Sequence, residues 1–126
     1  MSKILVAEDD KFLANVYRVK LTKEQFEILL VSDGEEVLKS LETFNPDLIL
    51  LDLMMPKIDG FMVLQILRTT DRWKNVPVII TSNLGQKEDI DKGMQLGATD
   101  YIVKSESNID DIIAKIRAHL PSVPLQ

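Results

Sequence analysis

Five short runs of apolar residues, continuous rather than alternating but for Glu27 in the second, set the tightest limit on what this chain can fold into. They are Ile4-Leu5-Val6-Ala7, Phe26 to Val31, Leu48 to Leu51, Val76 to Ile80 and Tyr101-Ile102-Val103. A strand with one face in water alternates apolar and polar side chains, whereas a strand covered on both faces is apolar throughout. The runs therefore predict the strands of a parallel sheet buried between two layers. The third shows it most plainly: Asp47-Leu48-Ile49-Leu50-Leu51-Asp52 is apolar inside and acidic at both ends.

Between the runs, apolar residues recur at helical spacing. Leu13, Val16, Tyr17 and Leu21 mark a first helix, Val37, Leu38, Leu41 and Phe44 a second, and Val63, Leu64 and Leu67 a third. A weaker fourth carries Ile90, Met94 and Gly97 on one side, and a strong fifth carries Ile109, Ile112, Ile113, Ile116 and Leu120. The punctuation agrees: Asp33-Gly34 opens the second helix, Asn45-Pro46 closes it, and Asp59-Gly60 opens the third. Pro121 and Pro124 end the last helix, giving a domain over 1–120 and a short tail over 121–126.

Strict alternation of strand and helix requires right-handed crossovers and helices on both faces of the sheet. Five units cannot close a barrel, so the expected fold is α/β, an open doubly wound parallel sheet of five strands with five helices. The length of 126 residues suits one core. A net charge of −5 gives no electrostatic footprint for a phosphate backbone, so direct nucleic-acid binding is not expected. Without cysteine there is no disulfide framework or thiolate metal site, which fits a reducing cytoplasm. No apolar run approaches the roughly 18 residues that span a bilayer. Met1-Ser2-Lys3 leads straight into a strand-length run with no cleavage site, so neither membrane insertion nor a signal peptide is expected.

In open α/β sheets, ligands sit beyond the carboxyl ends of the strands, where strand order reverses. Glu8-Asp9-Asp10 follows the first run, Asp52 closes the third, Thr81-Ser82-Asn83 follows the fourth and Lys104-Ser105 follows the fifth. If these strands are neighbours, acids, a hydroxyl and a lysine converge at one edge. Two carboxylates about 5 Å apart repel by roughly 3 kcal/mol at an effective dielectric near 20. A divalent cation removes that conflict, and an oxygen cluster with few protein ligands suits Mg²⁺. Lys104 and Ser82 could then hold the oxygens of a phosphoryl group.

Each residue also has a plainer reading. An acid at a strand end commonly caps a helix, and Asp10 is read that way outright. Lys104 alone is a surface lysine and Ser82 alone unremarkable; their placement at four strand ends of one sheet is what favours a site. His119, the only histidine, lies near the end of the last helix and is not read as a phosphohistidine. Trp73 is read as packing, Met54 and Met55 as bordering the acidic pocket, and Met62 and Met94 as helix-face packing.

From Lys3 to about Leu120 the sequence resembles the receiver domains of bacterial two-component response regulators. Asp52-Leu53-Met54-Met55-Pro56-Lys57-Ile58-Asp59-Gly60 resembles their phosphoacceptor loop, and Ile4-Leu5-Val6-Ala7-Glu8-Asp9-Asp10 their first strand and acidic pair. Pro77-Val78-Ile79-Ile80-Thr81-Ser82 resembles the fourth strand, and Gly97-Ala98-Thr99-Asp100-Tyr101-Ile102-Val103-Lys104 the fifth. The resemblance implies a flavodoxin-like sheet of order 2-1-3-4-5. It makes Asp52 the phosphorylation site, Lys104 a phosphoryl contact, and Ser82 and Tyr101 the switch pair. It assigns Mg²⁺ to Asp9, Asp52, the backbone carbonyl of Met54 and, largely through water, Glu8. It implies catalysis only of the domain's own phosphorylation and dephosphorylation. The implied partners are a sensor histidine kinase or phosphotransfer protein and a downstream output protein. A homodimer could form through the face of the fourth helix, fifth strand and fifth helix. Side chains two positions after Asp52 and two after Ser82, here Met54 and Leu84, would flank the water that hydrolyses the phosphoryl group.

Three positions depart from the family pattern. Asn83 replaces a small residue, Gln25 a common glycine, and Ser105 a proline; a cis bond without proline costs about 2.5–4 kcal/mol. Three rival functions fit the residues less well. A flavin or nucleotide binder would need a glycine- or hydroxyl-rich loop where Glu8-Asp9-Asp10 stands. An aspartate-nucleophile phosphatase would need an acid two residues after Asp52, where Met54 stands. A degenerate receiver acting as a phosphorylation-independent interaction module would not need Glu8, Asp9, Asp52, Ser82 and Lys104 together. The sequence carries no output segment after the domain, consistent with either a single-domain regulator or a piece of a longer one.

Overall fold

The computed structural model describes residues 1–120, so the expected tail over 121–126 lies outside the described residues. The five runs form strands β1 (Lys3–Ala7), β2 (Glu27–Val31), β3 (Leu48–Asp52), β4 (Val78–Ser82) and β5 (Asp100–Val103). They alternate with α1 (Lys11–Lys23), α2 (Gly34–Phe44), α3 (Gly60–Arg68), α4 (Lys87–Gln95) and α5 (Ile109–His119). All pairings are parallel and the order is β2-β1-β3-β4-β5, as expected. Strand order reverses between β1 and β3, so their carboxyl ends form the crevice where such folds bind ligands.

The apolar runs of β1, β3 and β4 have the burial they imply, whereas the edge strands β2 and β5 are mostly half-buried, with Glu27 of β2 exposed. Ile4, Leu5 and Val6 of β1 and Leu48 to Leu51 of β3 are at most 1% exposed. Successive side chains enter opposite layers. Val6, Leu48, Leu50 and Ile79 pack against Tyr17 of α1 and Ile112 and Ile116 of α5. Leu5, Ile49, Leu51 and Ile80 pack against Val37 of α2 and Val63, Leu64 and Leu67 of α3. Trp73 joins this second layer, as expected.

Polar side chains set the helix starts. Asp10, Asp33, Asp59 and Asn108 each accept backbone N–H bonds of the first turn, satisfying donors that have no partner within the helix. Asn45 ends α2 in the left-handed conformation, with φ of 54°. Gln25 does the same between α1 and β2, with φ of 68°, so it takes the backbone a glycine would take there.

Three expectations fail. The fourth helix does not pack through Met94 and Gly97: Met94 is 44% exposed, and Gly97 lies past the helix with φ of +106°. Gly93 faces the sheet instead, where a Cβ would stand 2.8 Å from Ile80 and 3.2 Å from the Tyr101 ring. Met62 is 48% exposed and likewise not a packing residue. The fourth strand starts after Pro77 rather than at Val76, so Thr81 and Ser82 are its last two residues rather than the loop that follows.

Candidate functional site

The carboxyl ends of β1, β3, β4 and β5 bring Glu8, Asp9, Asp52, Ser82 and Lys104 around one cavity of about 340 Å³, shared with Asp10, Met54 and Asn83. Glu8, Asp52 and Ser82 are buried, while Asp9 is exposed at the mouth. Carboxylate oxygens of Glu8, Asp9 and Asp52 all lie within 4.8 Å of one another. Asp10 stays apart from this set. Its side chain accepts from the N–H groups of Phe12 and Leu13 at the start of α1, so the capping reading holds.

Lys104 bridges the two buried acids. Its Nζ donates to Glu8 Oε1 at 2.6 Å and to Asp52 Oδ2 at 3.1 Å. The remaining Glu8 oxygen accepts the Asp10 N–H at 3.2 Å, and Asp52 Oδ1 accepts the Met54 N–H at 3.2 Å. Burial pushes the Glu8 carboxyl up to about 7; the Lys104 bond pulls the other way, and the charge of Asp52 adds to the rise. Burial pulls the Lys104 ammonium down, but the bond to Glu8 and the charge of Asp52 outweigh it and hold the group above its ordinary range. One lysine thus compensates two buried carboxylates incompletely. An added divalent cation beside Asp9 would complete the neutralisation, so the donor set fits a hard cation bound by oxygen.

Ser105 leaves this geometry intact. Lys104 to Glu106 form a short 3-10 turn, and no cis peptide occurs among the described residues. Asn83 is exposed at the rim. Of the two methionines expected beside the acids, only Met54 is there. Met55 turns inward and is 9% exposed, in the layer with Leu53 and Val63. Met54 is 64% exposed and also lines an adjoining cavity of about 480 Å³ with Asp9, Leu53, Phe61 and Leu84.

Ser82 and Tyr101 meet through one residue. Ser82 Oγ accepts the Leu84 N–H at 3.0 Å, and the Tyr101 hydroxyl donates to the Leu84 carbonyl at 2.6 Å. Leu84 therefore joins the pocket hydroxyl to the aromatic ring on β5. Two further residues escaped the sequence reading as parts of the site. Tyr17 appeared only as one more core residue of α1, and Thr81 only as the neighbour of Ser82. Thr81 stands opposite Asp52 in the β3–β4 register and buried Tyr17 feels the charge of Glu8 and Asp52, and only the polar atoms of their side chains could have signalled it.

The chain resembles known proteins over this whole architecture. The sequence pattern of the response regulator receiver domain matches residues 4–117. The DNA-binding dual master transcriptional regulator RpaA of Synechocystis is 35% identical over 120 residues, covering 95% of this chain and 49% of that protein. The chain spans about half the length of the curated relatives it matches. The Francisella response regulator 1452 receiver domain superposes with a TM-score of 0.87 at 36% identity, covering 94% of this chain and 95% of that one. The Mn²⁺-bound response regulator Rcp1 superposes with a TM-score of 0.81 at 26% identity, covering 100% and 99%. With the acidic pocket at the strand-order reversal and a family match across nearly its full length, this chain belongs to the response regulator receiver domain family.

Proposed function

We propose that this domain takes a phosphoryl group onto Asp52 from a phosphohistidine of a sensor histidine kinase or phosphotransfer protein, and so switches a protein-interaction face. The observation that carries the reading is the Lys104 ammonium held between buried Glu8 and Asp52 while Asp9 opens to solvent. An Asp52 oxygen forms the new bond to phosphorus; the phosphorus–nitrogen bond of the donor breaks, and the nitrogen keeps its electron pair. Lys104 turns from the carboxylates to a phosphoryl oxygen, and the Ser82 hydroxyl donates to another. Asp9, Asp52, the Met54 carbonyl and, through water, Glu8 would hold Mg²⁺, which supplies charge neutralisation for the incoming phosphoryl oxygens.

Movement of Ser82 toward the phosphoryl group draws on Leu84, and Leu84 carries Tyr101 with it. The face of α4, β5 and α5 then meets the output protein or a second copy of the domain. The test is intact mass spectrometry after incubation with acetyl phosphate, with Mg²⁺ or with excess chelator. One added phosphoryl group is expected in the Mg²⁺ sample, and none with chelator or in Asp52→Ala. Undiminished labelling of Asp52→Ala would overturn the assignment.

A further inference from the structure

Among the described residues, the Tyr17 hydroxyl is the buried side-chain polar atom that has no hydrogen-bond partner. The side chain is fully buried on the inner face of α1. Phenylalanine would fill nearly the same volume without stranding a donor, so the oxygen requires a reason. Strand alternation identifies its surroundings. Val6, Leu50, Ile79 and Ile102 share a layer with Tyr17. Two positions further along the first three segments, the side chains return to that layer, at Glu8, Asp52 and Thr81, and Lys104 reaches Glu8 from the end of β5.

Other contacts agree. Tyr17 and Lys104 line one cavity of about 300 Å³ between α1 and α5. Thr81 stands opposite Asp52 in the β3–β4 register. The Thr81 hydroxyl lies near that of Tyr17, which also feels the negative charge of Glu8 and Asp52, but the approach falls short of hydrogen-bond geometry. Ser82, one residue on, points to the opposite layer with Ile80. The pocket therefore has two hydroxyl systems, Ser82 at the phosphoryl side and Tyr17 with Thr81 in the layer of α1.

We propose that Tyr17, together with Thr81, is a positioning residue that holds a hydrogen-bond donor in reserve for the buried Glu8 carboxylate. The inference rests on the phosphoacceptor reading above. With Lys104 on Glu8 and Asp52, the phenol has nothing to bond. When Lys104 turns to a phosphoryl oxygen, Glu8 loses its 2.6 Å partner while remaining buried. Tyr17, directly or through the Thr81 hydroxyl, supplies the replacement donor from the same layer. The oxygen is idle in one state and engaged in the other.

Beryllofluoride, a phosphoryl mimic, separates the states. Melting temperatures are measured for the native protein, Tyr17→Phe, Thr81→Val and the double variant, each metal-free, with Mg²⁺, and with Mg²⁺ plus beryllofluoride. Tyr17→Phe should match or exceed the native protein metal-free, since it removes an unpaired hydroxyl. It should gain as much from Mg²⁺ alone and lose about half of the further gain from beryllofluoride. Labelling by acetyl phosphate should slow about fivefold, the factor carried by one ordinary hydrogen bond. Thr81→Val should reproduce part of the loss, and the double variant should add little to Tyr17→Phe. An undiminished beryllofluoride gain in Tyr17→Phe, or a deficit equal in all three states, would overturn the proposal while leaving Asp52 phosphorylation standing. A native protein that gains nothing from Mg²⁺ plus beryllofluoride would overturn both.

Discussion

Glu8 faces two opposed demands: it is buried at 3% exposure, and it contributes charge to a pocket that already holds Asp52 and Asp9. Burial raises its pKa from the ordinary 4.5 to about 7 despite the Lys104 bond. A carboxyl of this kind binds its proton more tightly in the native state than in the unfolded chain. Its full contribution to stability is therefore present below about pH 4.5 and is lost as pH rises through about 7. The loss is bounded at about 3 kcal/mol, since each tenfold difference in proton affinity between the folded and unfolded chain is worth about 1.4 kcal/mol. Metal-free protein should accordingly melt several degrees lower at pH 8 than at pH 5.5. Glu8→Gln keeps the shape and an acceptor for the Asp10 N–H but cannot ionise, so its melting temperature relative to the native value should be higher at pH 8 than at pH 5.5. Thermal melts of both proteins across this range, in chelator, check the point. A native curve that rises toward pH 8 would show that Lys104 already compensates the buried charge in full.

At the scale of the elements, the start of α3 shows how backbone contact fixes the end of β3, which carries Asp52. Asp59 caps this helix by accepting the Met62 N–H at 2.9 Å, and the Gly60 N–H donates to the Leu53 carbonyl at 2.9 Å. A Cβ on Gly60 would stand 2.5 Å from the Asp52 carbonyl oxygen and 2.7 Å from Leu53 Cα. Alanine normally favours a helix over glycine by about 1 kcal/mol. Here the backbone collision should win, and Gly60→Ala should destabilise the domain by about 2 kcal/mol. Asp59→Ala, which removes only the cap, should cost about 1 kcal/mol. Urea denaturation ranks the two, and a Gly60→Ala variant as stable as the native protein would show that α3 can slide away from β3. These elements were legible in the sequence because their signals are present groups: apolar runs for the strands, and Asp33, Asp59 and Asn45 for the helix ends. The contact of α4 was not, because Gly93 packs through the absence of a side chain, and Met94 offered the more conspicuous apolar residue beside it. Glu8, Asp9, Asp52, Ser82 and Lys104 were found because each stands at a strand end. Tyr17 and Thr81 were not, because a buried hydroxyl has no periodicity of its own, and Met55 turned inward because no pattern in a loop records which side chain the core takes.

For the molecule as a whole, the proposed phosphorylation of Asp52 makes the lifetime of the phosphorylated state the property to test. Hydrolysis of an acyl phosphate needs a water in line with the bond that breaks, and orienting that water is a large part of the barrier. Met54 and Leu84, from the loops after β3 and β4, line the same cavity together with Asp9, beside the acidic pocket. Both are apolar, so neither orients a water, and Met54, 64% exposed, lines both this cavity and the acidic pocket. Leu84 has a second task, since its backbone joins Ser82 to Tyr101. Because that task belongs to its N–H and carbonyl, its side chain can change without cutting the link. Met54→Asn combined with Leu84→Glu should therefore speed dephosphorylation by about tenfold, the scale of one well-placed hydrogen bond to a charged or reacting group, while Tyr101 keeps its bond to residue 84. The check is to phosphorylate both proteins, remove the donor, and follow loss of the phosphoryl group in Mg²⁺ at one temperature, with Tyr101 solvent exposure measured in parallel. Equal decay rates would show that these two side chains do not govern the water. A native protein that loses its phosphoryl group within seconds would show that an apolar rim does not prolong the signal. Faster decay with Tyr101 undisturbed would show that signal lifetime and signal transmission are set separately, one by the side chains at positions 54 and 84 and the other by the backbone of residue 84.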